Sequence, residues 1–241
     1  MICITFDTDH MSDASMRVFL DRFDMPGSAT FFCTQKYRDL GRGSDFPQHE
    51  VAIHPIFNVG DDWDEKTRRL RETFDDEIVG VRAHSCAYSH QYGVQLAAQG
   101  FEYVSQASFL FSETLKPFPQ PWGVWELPIC YMDSMDYELA ELRPGRHRPF
   151  DDRLIQAAVS NPDALFVFDF HPVHVLLDSR HRADYREWAQ AGRPDFTREA
   201  NSGRNGAGDY FRRLIAAMRA AGQESTALRD VARQAEREDQ A

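Results

Sequence analysis

Positive charge is what this chain has least of. Only three of its 27 basic residues are lysine, and 38 acidic residues leave a formal net charge of −11. Nucleic acid and anionic membrane surfaces are bound through positive charge, so neither is expected as a partner. The deficit is uneven, with 15 basic against 27 acidic residues through Leu177 and 12 against 11 beyond it. Cysteine is also sparse. Cys3, Cys33, Cys86 and Cys130 are far apart and form no Cys-x-x-Cys pair, which excludes a zinc ribbon and argues against a disulfide framework. No apolar run approaches the ~18 residues of a membrane-spanning helix, so no membrane insertion is expected. No basic stretch precedes an apolar one at the start, which opens as Met1-Ile2-Cys3-Ile4-Thr5-Phe6-Asp7 and reads as a strand. A cytoplasmic location is the expectation. Internal repeats and low-complexity tracts are absent.

What is present is a core. Hydrophobic residues make up 42% of the 241, among them 18 Phe, enough for one sizeable domain. Short β-rich runs alternate with helical spacing. Strands are expected over 2–6, 28–33, 50–54, 78–82, 101–105, part of 123–131 and 164–170. Helices are expected over 13–23, 63–76, 88–99, 151–159, 209–221 and 226–238, with a short one near 185–191. This alternation implies βαβ units and a mainly parallel sheet. About seven strand candidates favour a barrel over an open sheet. The polar residues Asp7, Asp9, His54, Arg82 and His171 fall at the carboxyl ends of these strands, the rim where parallel α/β folds place their sites.

Four segments carry the candidate chemistry. In Thr5-Phe6-Asp7-Thr8-Asp9, two carboxylates flank one residue, so a strand would point both to the same side. Repulsion would drive their pKa values apart unless a cation intervenes, which suits one metal ligand and one base. In His49-Glu50-Val51-Ala52-Ile53-His54-Pro55-Ile56-Phe57-Asn58, His54 and Asn58 form an i, i+4 pair that converges if the turn is helical; His49 reads as an exposed loop residue. In Gly80-Val81-Arg82-Ala83-His84-Ser85, a buried Arg82 needs a carboxylate partner, and Asp7 is the natural one; His84 is placed to line a pocket. In Phe168-Asp169-Phe170-His171-Pro172-Val173-His174, His171 follows an apolar strand at the rim and suits a general acid. Asp169 could orient a neighbour, and His174 lies beside the pocket. Trp122 and Trp125, in a Pro-rich loop, could form a platform for a sugar face or pack in the core.

These segments, in this order, resemble the polysaccharide deacetylases of the NodB-homology type (carbohydrate esterase family 4), and the wording FDTDH, HPxFN and FHPxH resembles their WbmS-like branch, associated with bacterial O-antigen loci. The likeness covers about 1–177. It implies an α/β fold, a distorted (β/α)7 barrel, here with a loop and C-terminal helices over 178–241 in one domain. It implies Asp7 as base, Arg82 as the residue that holds it, and His171 as acid. It implies Asp9, His54 and Asn58 as ligands of a divalent cation, zinc first and cobalt, nickel or manganese next. Asn58 stands where the family has a second histidine, and the family's Pro-Tyr after the arginine is absent. A fourth motif is only faintly matched around Trp125-Glu126-Leu127-Pro128. The implied activity is removal of an acetyl group from an N-acetylated sugar or glycan precursor. Read from the residues themselves, His84, Trp125 and His174 are candidates for substrate contact, with a structural role open for His174, and the length and glycines of 178–208 suggest a lid. Two other readings stay open: a metal hydrolase of a non-sugar amide or cyclic imide, and a catalytically silent sugar-binding or scaffolding domain.

Overall fold

The computed structural model describes residues 1–197, 203 and 205–240. The apolar run after Met1 forms strand β1 (Ile2–Asp7), buried along its whole length. It lies third from one edge of a nine-stranded sheet. Its flanking partners are β2 (Thr30–Cys33) and β9 (Phe166–Phe170), both parallel to it. Beyond β2 come β3 (Glu50–Ile53), β4 (Gly80–Val81), β5 (Tyr103–Val104) and β7 (Trp125–Glu126), all parallel. The short β6 (Phe118–Pro119) closes that edge antiparallel to β7. Beyond β9 lies β8 (Ile129–Met132), also parallel. Fully buried strands read as continuous apolar runs rather than alternating ones, which is why 164–170 stands out in the sequence.

The sheet curls into a half-barrel whose outer edges approach each other. The chain after β5 reaches across to β8, where Ile129 N–H donates to Ala107 O at 2.8 Å and Phe109 N–H to Ile129 O at 2.8 Å. The ring of Tyr103, opposite Gly80 in the β4–β5 register, lies over that glycine so closely that a Cβ there would meet it at 2.0 Å.

Helices cover the outside of the sheet. Ser12 caps α1 (Asp13–Arg22) by accepting from Ser15 N–H, and Asp62 caps α2 (Trp63–Arg71) through Glu65 N–H. Then come α3 (His90–Ala98), α4 (Asp133–Leu142), α5 (Arg153–Ser160), α6 (Pro172–Leu177), α7 (Arg182–Gln190), α8 (Ala207–Ala220) and α9 (Leu228–Asp239). The C-terminal helices belong to the same core: Phe211 of α8 packs against Phe6, Phe19, Phe23 and Phe170. Helix α9 seals the end of the barrel where the strands begin, with Leu228, Val231 and Ala232 packed against Cys3, Phe32 and Tyr103. The strand ends opposite are left open. His49 is not an exposed loop residue; it is buried, and its Nδ1 accepts Ala29 N–H at 3.2 Å.

Candidate active site

The site rises from the barrel interior in two layers. In the lower layer Arg82, with no exposed surface, extends from the end of β4 over the ring of Phe32, 4.1 Å from its centroid. Its Nε and Nη2 donate to Ser105 O and Oγ at 2.7 and 2.8 Å. Its Nη1 donates to Asp7 Oδ1 and Thr5 Oγ1, each at 3.0 Å, and to Asp169 Oδ1. Arg82 and Asp7 therefore pair, as a buried arginine requires.

The upper layer holds the imidazoles. His54, at the end of β3, is 1% exposed. Its Nε2 faces Asp9 Oδ2 at 3.4 Å and its Nδ1 faces Asp7 Oδ1 at 3.7 Å. His84 Nδ1 lies 2.8 Å from the same Asp9 Oδ2. His84 owes its aim to an unusual turn, in which Ser85 and Cys86 both adopt left-handed backbone angles (φ 58° and 51°). Non-glycine residues hold that conformation at a cost, and such strain clusters at functional sites. Across the opening, His171 N–H donates to Asp133 Oδ2 at 2.9 Å and its Nδ1 donates to Asp133 Oδ1 at 2.7 Å. Asp133 opens α4 directly after β8 and has no exposed surface. It is the functional residue that the sequence motifs miss, although it obeys the same rule as the others: an acid at the carboxyl end of a parallel strand.

Electrostatics separate the two sides. Burial pushes the Asp9 carboxyl up, but the imidazoles of His54 and His84 facing it outweigh this and hold it well below the usual range. Burial pushes His171 down, and the Asp133 carboxylate outweighs that, raising the imidazole to about 10. His174 is pushed down to about 4 by burial and stays neutral; it sits between Tyr137 OH at 3.3 Å and Ser179 Oγ at 3.2 Å. Burial raises the Cys86 thiol to about 12, so it offers no thiolate near neutral pH.

Both sides open on one cavity of about 540 Å³, lined by Asp7, Asp9, His84, His171 and His174 and walled by Tyr137 of α4 and Tyr185 of α7. Tyr185 and Arg182 put the first part of the expected lid on the cavity wall; residues 198–202 and 204 of that stretch lie outside the described residues.

The donor set fits a divalent cation. Asp9, His54 and His84 offer ligand atoms within 4.8 Å of one another. Asp9 Oδ1 and both ring nitrogens of His54 are buried without a hydrogen-bond partner, a costly condition that a bound cation would relieve. One carboxylate and two imidazoles suit zinc. Asn58 is not among them. The stretch after His54 is an open loop rather than a helical turn, so the i, i+4 pair does not converge. Asn58 is exposed, with its N–H donated to Asp61 Oδ2 at 2.6 Å. His84 lines the cavity as expected and also offers the third donor atom of this group. Trp125 is also elsewhere. It starts β7, so it lies at the sealed end of the barrel, with its indole N–H donated to Glu236 Oε2 of α9 at 2.7 Å. Glu126, in the faint fourth motif, accepts Gln106 and Ala107 N–H groups away from the cavity.

A family model of WbmS-like polysaccharide deacetylases matches residues 4–189. The chain belongs to that family. Solved structures agree on the fold. A protein described as a candidate polysaccharide deacetylase involved in O-antigen biosynthesis, WbmS of Bordetella bronchiseptica, superimposes with a TM-score of 0.72 at 22% identity over 89% of each chain. A candidate polysaccharide deacetylase from Mycobacterium smegmatis gives 0.57 at 16% identity, over 99% of this chain and 90% of that one. The 4-alpha-glucanotransferase of Thermococcus litoralis gives 0.50 at 12% identity, over 95% of this chain and 39% of that one. No curated protein matches the deacetylase-family chain. None of its described helices is long and apolar enough to cross a membrane.

Proposed function

We propose that this chain is a metal-dependent N-deacetylase that removes the acetyl group from an N-acetylated amino sugar, a cytoplasmic precursor of O-antigen or lipopolysaccharide. The supporting observation is the convergence of three unlike groups on one cavity: a carboxylate held by a buried arginine, an imidazolium held by a buried carboxylate, and a donor set with orphaned buried atoms between them. The cavity volume lies within the range of roughly 300–1,000 Å³ typical of small-molecule sites.

Asp9, His54 and His84 would hold the cation, which when bound polarises an amide carbonyl and lowers the pKa of a water. Asp7 takes the proton of the attacking water. Arg82 reaches only Asp7 Oδ1, so the second oxygen is left free of the guanidinium. His171, with Nδ1 committed to Asp133, keeps Nε2 to protonate the departing amine. A base and an acid of opposite charge on facing walls are what hydrolysis of an amide needs.

The test is release of acetate and free amine from a panel of N-acetylated amino sugars and their nucleotide-linked forms, with zinc, cobalt, nickel or manganese supplied and with a chelator as control. Metal-dependent, stoichiometric release is the expected result. Failure of the metal-loaded protein across the panel, together with hydrolysis of simple amides or cyclic imides, would move the substrate class away from sugars.

A further inference from the structure

Asp169 takes no part in the steps above, yet it is a fully buried acid beside them. It sits on β9 two residues before His171 and so on the same face of the strand, opposite Thr5 of β1 and Met132 of β8. Its Oδ1 accepts from Thr5 Oγ1 at 3.0 Å and from Arg82 Nη1. Its Oδ2 is buried without a hydrogen bond. Ligand-type atoms of Asp7, Asp169 and His171 all lie within 4.8 Å of one another.

A carboxylate is an expensive choice at this position. The rest of β9 is Phe166, Val167, Phe168 and Phe170, and an apolar side chain would bury without cost. Arg82 has a counter-ion in Asp7 already. What Asp169 adds is competition for Arg82. With Ser105 taking Nε and Nη2, and Asp169 and Thr5 sharing Nη1, the guanidinium gives Asp7 one N–H on one oxygen. A two-pronged pair would tie up both oxygens and place the whole positive charge on Asp7. Asp169 also faces His171, whose other charged and titratable neighbours are Asp133 from α4, Asp7, Asp9 and His10 from β1 and the loop after it, and His174 from α6.

We propose that Asp169 is a positioning residue for both ends of the reaction: it divides the charge of Arg82 so that Asp7 stays half-free, and it adds a second carboxylate that favours the imidazolium of His171. The roles of Asp7 and His171 rest on the deacetylase reading; the electrostatic coupling does not. Burial raises the Asp169 carboxyl to about 7, with Arg82 opposing and Asp7 adding to the rise, so the anion is present where His171 titrates.

Asp169→Asn, nearly isosteric, tests this without a substrate. In an NMR titration the His171 midpoint is expected to fall by about one unit, the size of shift an opposite charge within roughly 4–6 Å produces. Metal content should stay at the wild-type value. On a turned-over substrate, kcat should fall about tenfold or more with KM within about threefold. An unmoved His171 midpoint overturns the proposal. A lowered midpoint with no acetate release even by wild type upholds the coupling and removes the deacetylase reading instead. If Asp169→Asn does not fold, Asp169→Ser, also neutral and smaller, carries the same titration: a lowered His171 midpoint upholds the coupling and an unmoved one overturns it.

Discussion

Asp7 and Asp9 leave one strand two residues apart and meet different partners, an arginine and two imidazoles. That difference makes their variants separable. Asp7→Asn is expected to keep the bound metal and lose activity by 10²–10⁴-fold, the usual worth of a general base; metal analysis and acetate release on the same preparation check it. His84→Ala should lower metal content at a fixed free concentration, while Asn58→Ala should leave it unchanged, because Asn58 points to solvent. The reverse pattern would restore Asn58 as ligand. Asp7, Asp9, His54, Arg82 and His171 are legible in the sequence because each ends a recognisable apolar strand. His84 was legible only as a pocket residue, since the turn that aims it depends on left-handed angles at Ser85 and Cys86 that no residue type there announces. Asp133 was missed because β8 runs one residue past the apolar stretch read from sequence, through Met132, and hands over to α4 with no loop between.

Elements with clear periodicity and stop signals fall close to their expected ranges: α8 and α9 lie within about two residues of expectation, with Gly222 between them. The helices α4 and α6 lack a clear apolar period, although Pro144-Gly145 does stop α4. Each starts directly from a strand end, and α6 is buried over most of its six residues, so no amphipathic stripe marks it. The docking of α9 could not be read at all, because beside its apolar contacts it uses a buried acid from a distant strand. Glu50 accepts from Thr30 Oγ1 at 2.7 Å, Tyr103 OH at 2.9 Å and Arg229 N–H at 3.0 Å, and so ties β2, β3 and β5 to the first turn of α9. Glu50→Ala leaves three buried donors unmatched and should destabilise the protein by about 2–4 kcal/mol, whereas Glu50→Gln, which keeps the acceptor, should cost about 1 kcal/mol. Urea unfolding of both variants measures this, and equal losses would mean that side-chain volume rather than hydrogen bonding holds the helix.

At the scale of the whole molecule, the strand–helix alternation was enough for a parallel α/β barrel, while its incomplete closure follows from two-residue strands too short to show a period. The charge balance carries a prediction of its own, because much of the acidity near the site is held by histidines. His171 is raised to about 10 in the folded protein, against about 6.5 in an unfolded chain. The native state therefore binds that proton more tightly, and its contribution to stability is complete below about pH 6.5 and is lost as pH rises through about 10. The carboxyls of Asp9 and Asp133 are lowered, so their contribution is complete above about pH 4 and is lost on acidification. Melting temperature should thus peak in weakly acidic solution and decline toward pH 10. Asp133→Asn replaces the carboxylate that holds the imidazolium, so at pH 6 it should be less stable than wild type by roughly 1.5–3 kcal/mol, the worth of a hydrogen bond to a charged group. Above pH 10 the wild-type imidazole is neutral and the gap should narrow. Thermal melts of both proteins at pH 6, 8 and 10.5 give the comparison, made in chelator so that cation binding, which stabilises only the folded state, does not add its own pH dependence. Two curves that stay parallel across that range would show that the His171–Asp133 pair is not the group linking proton uptake to folding.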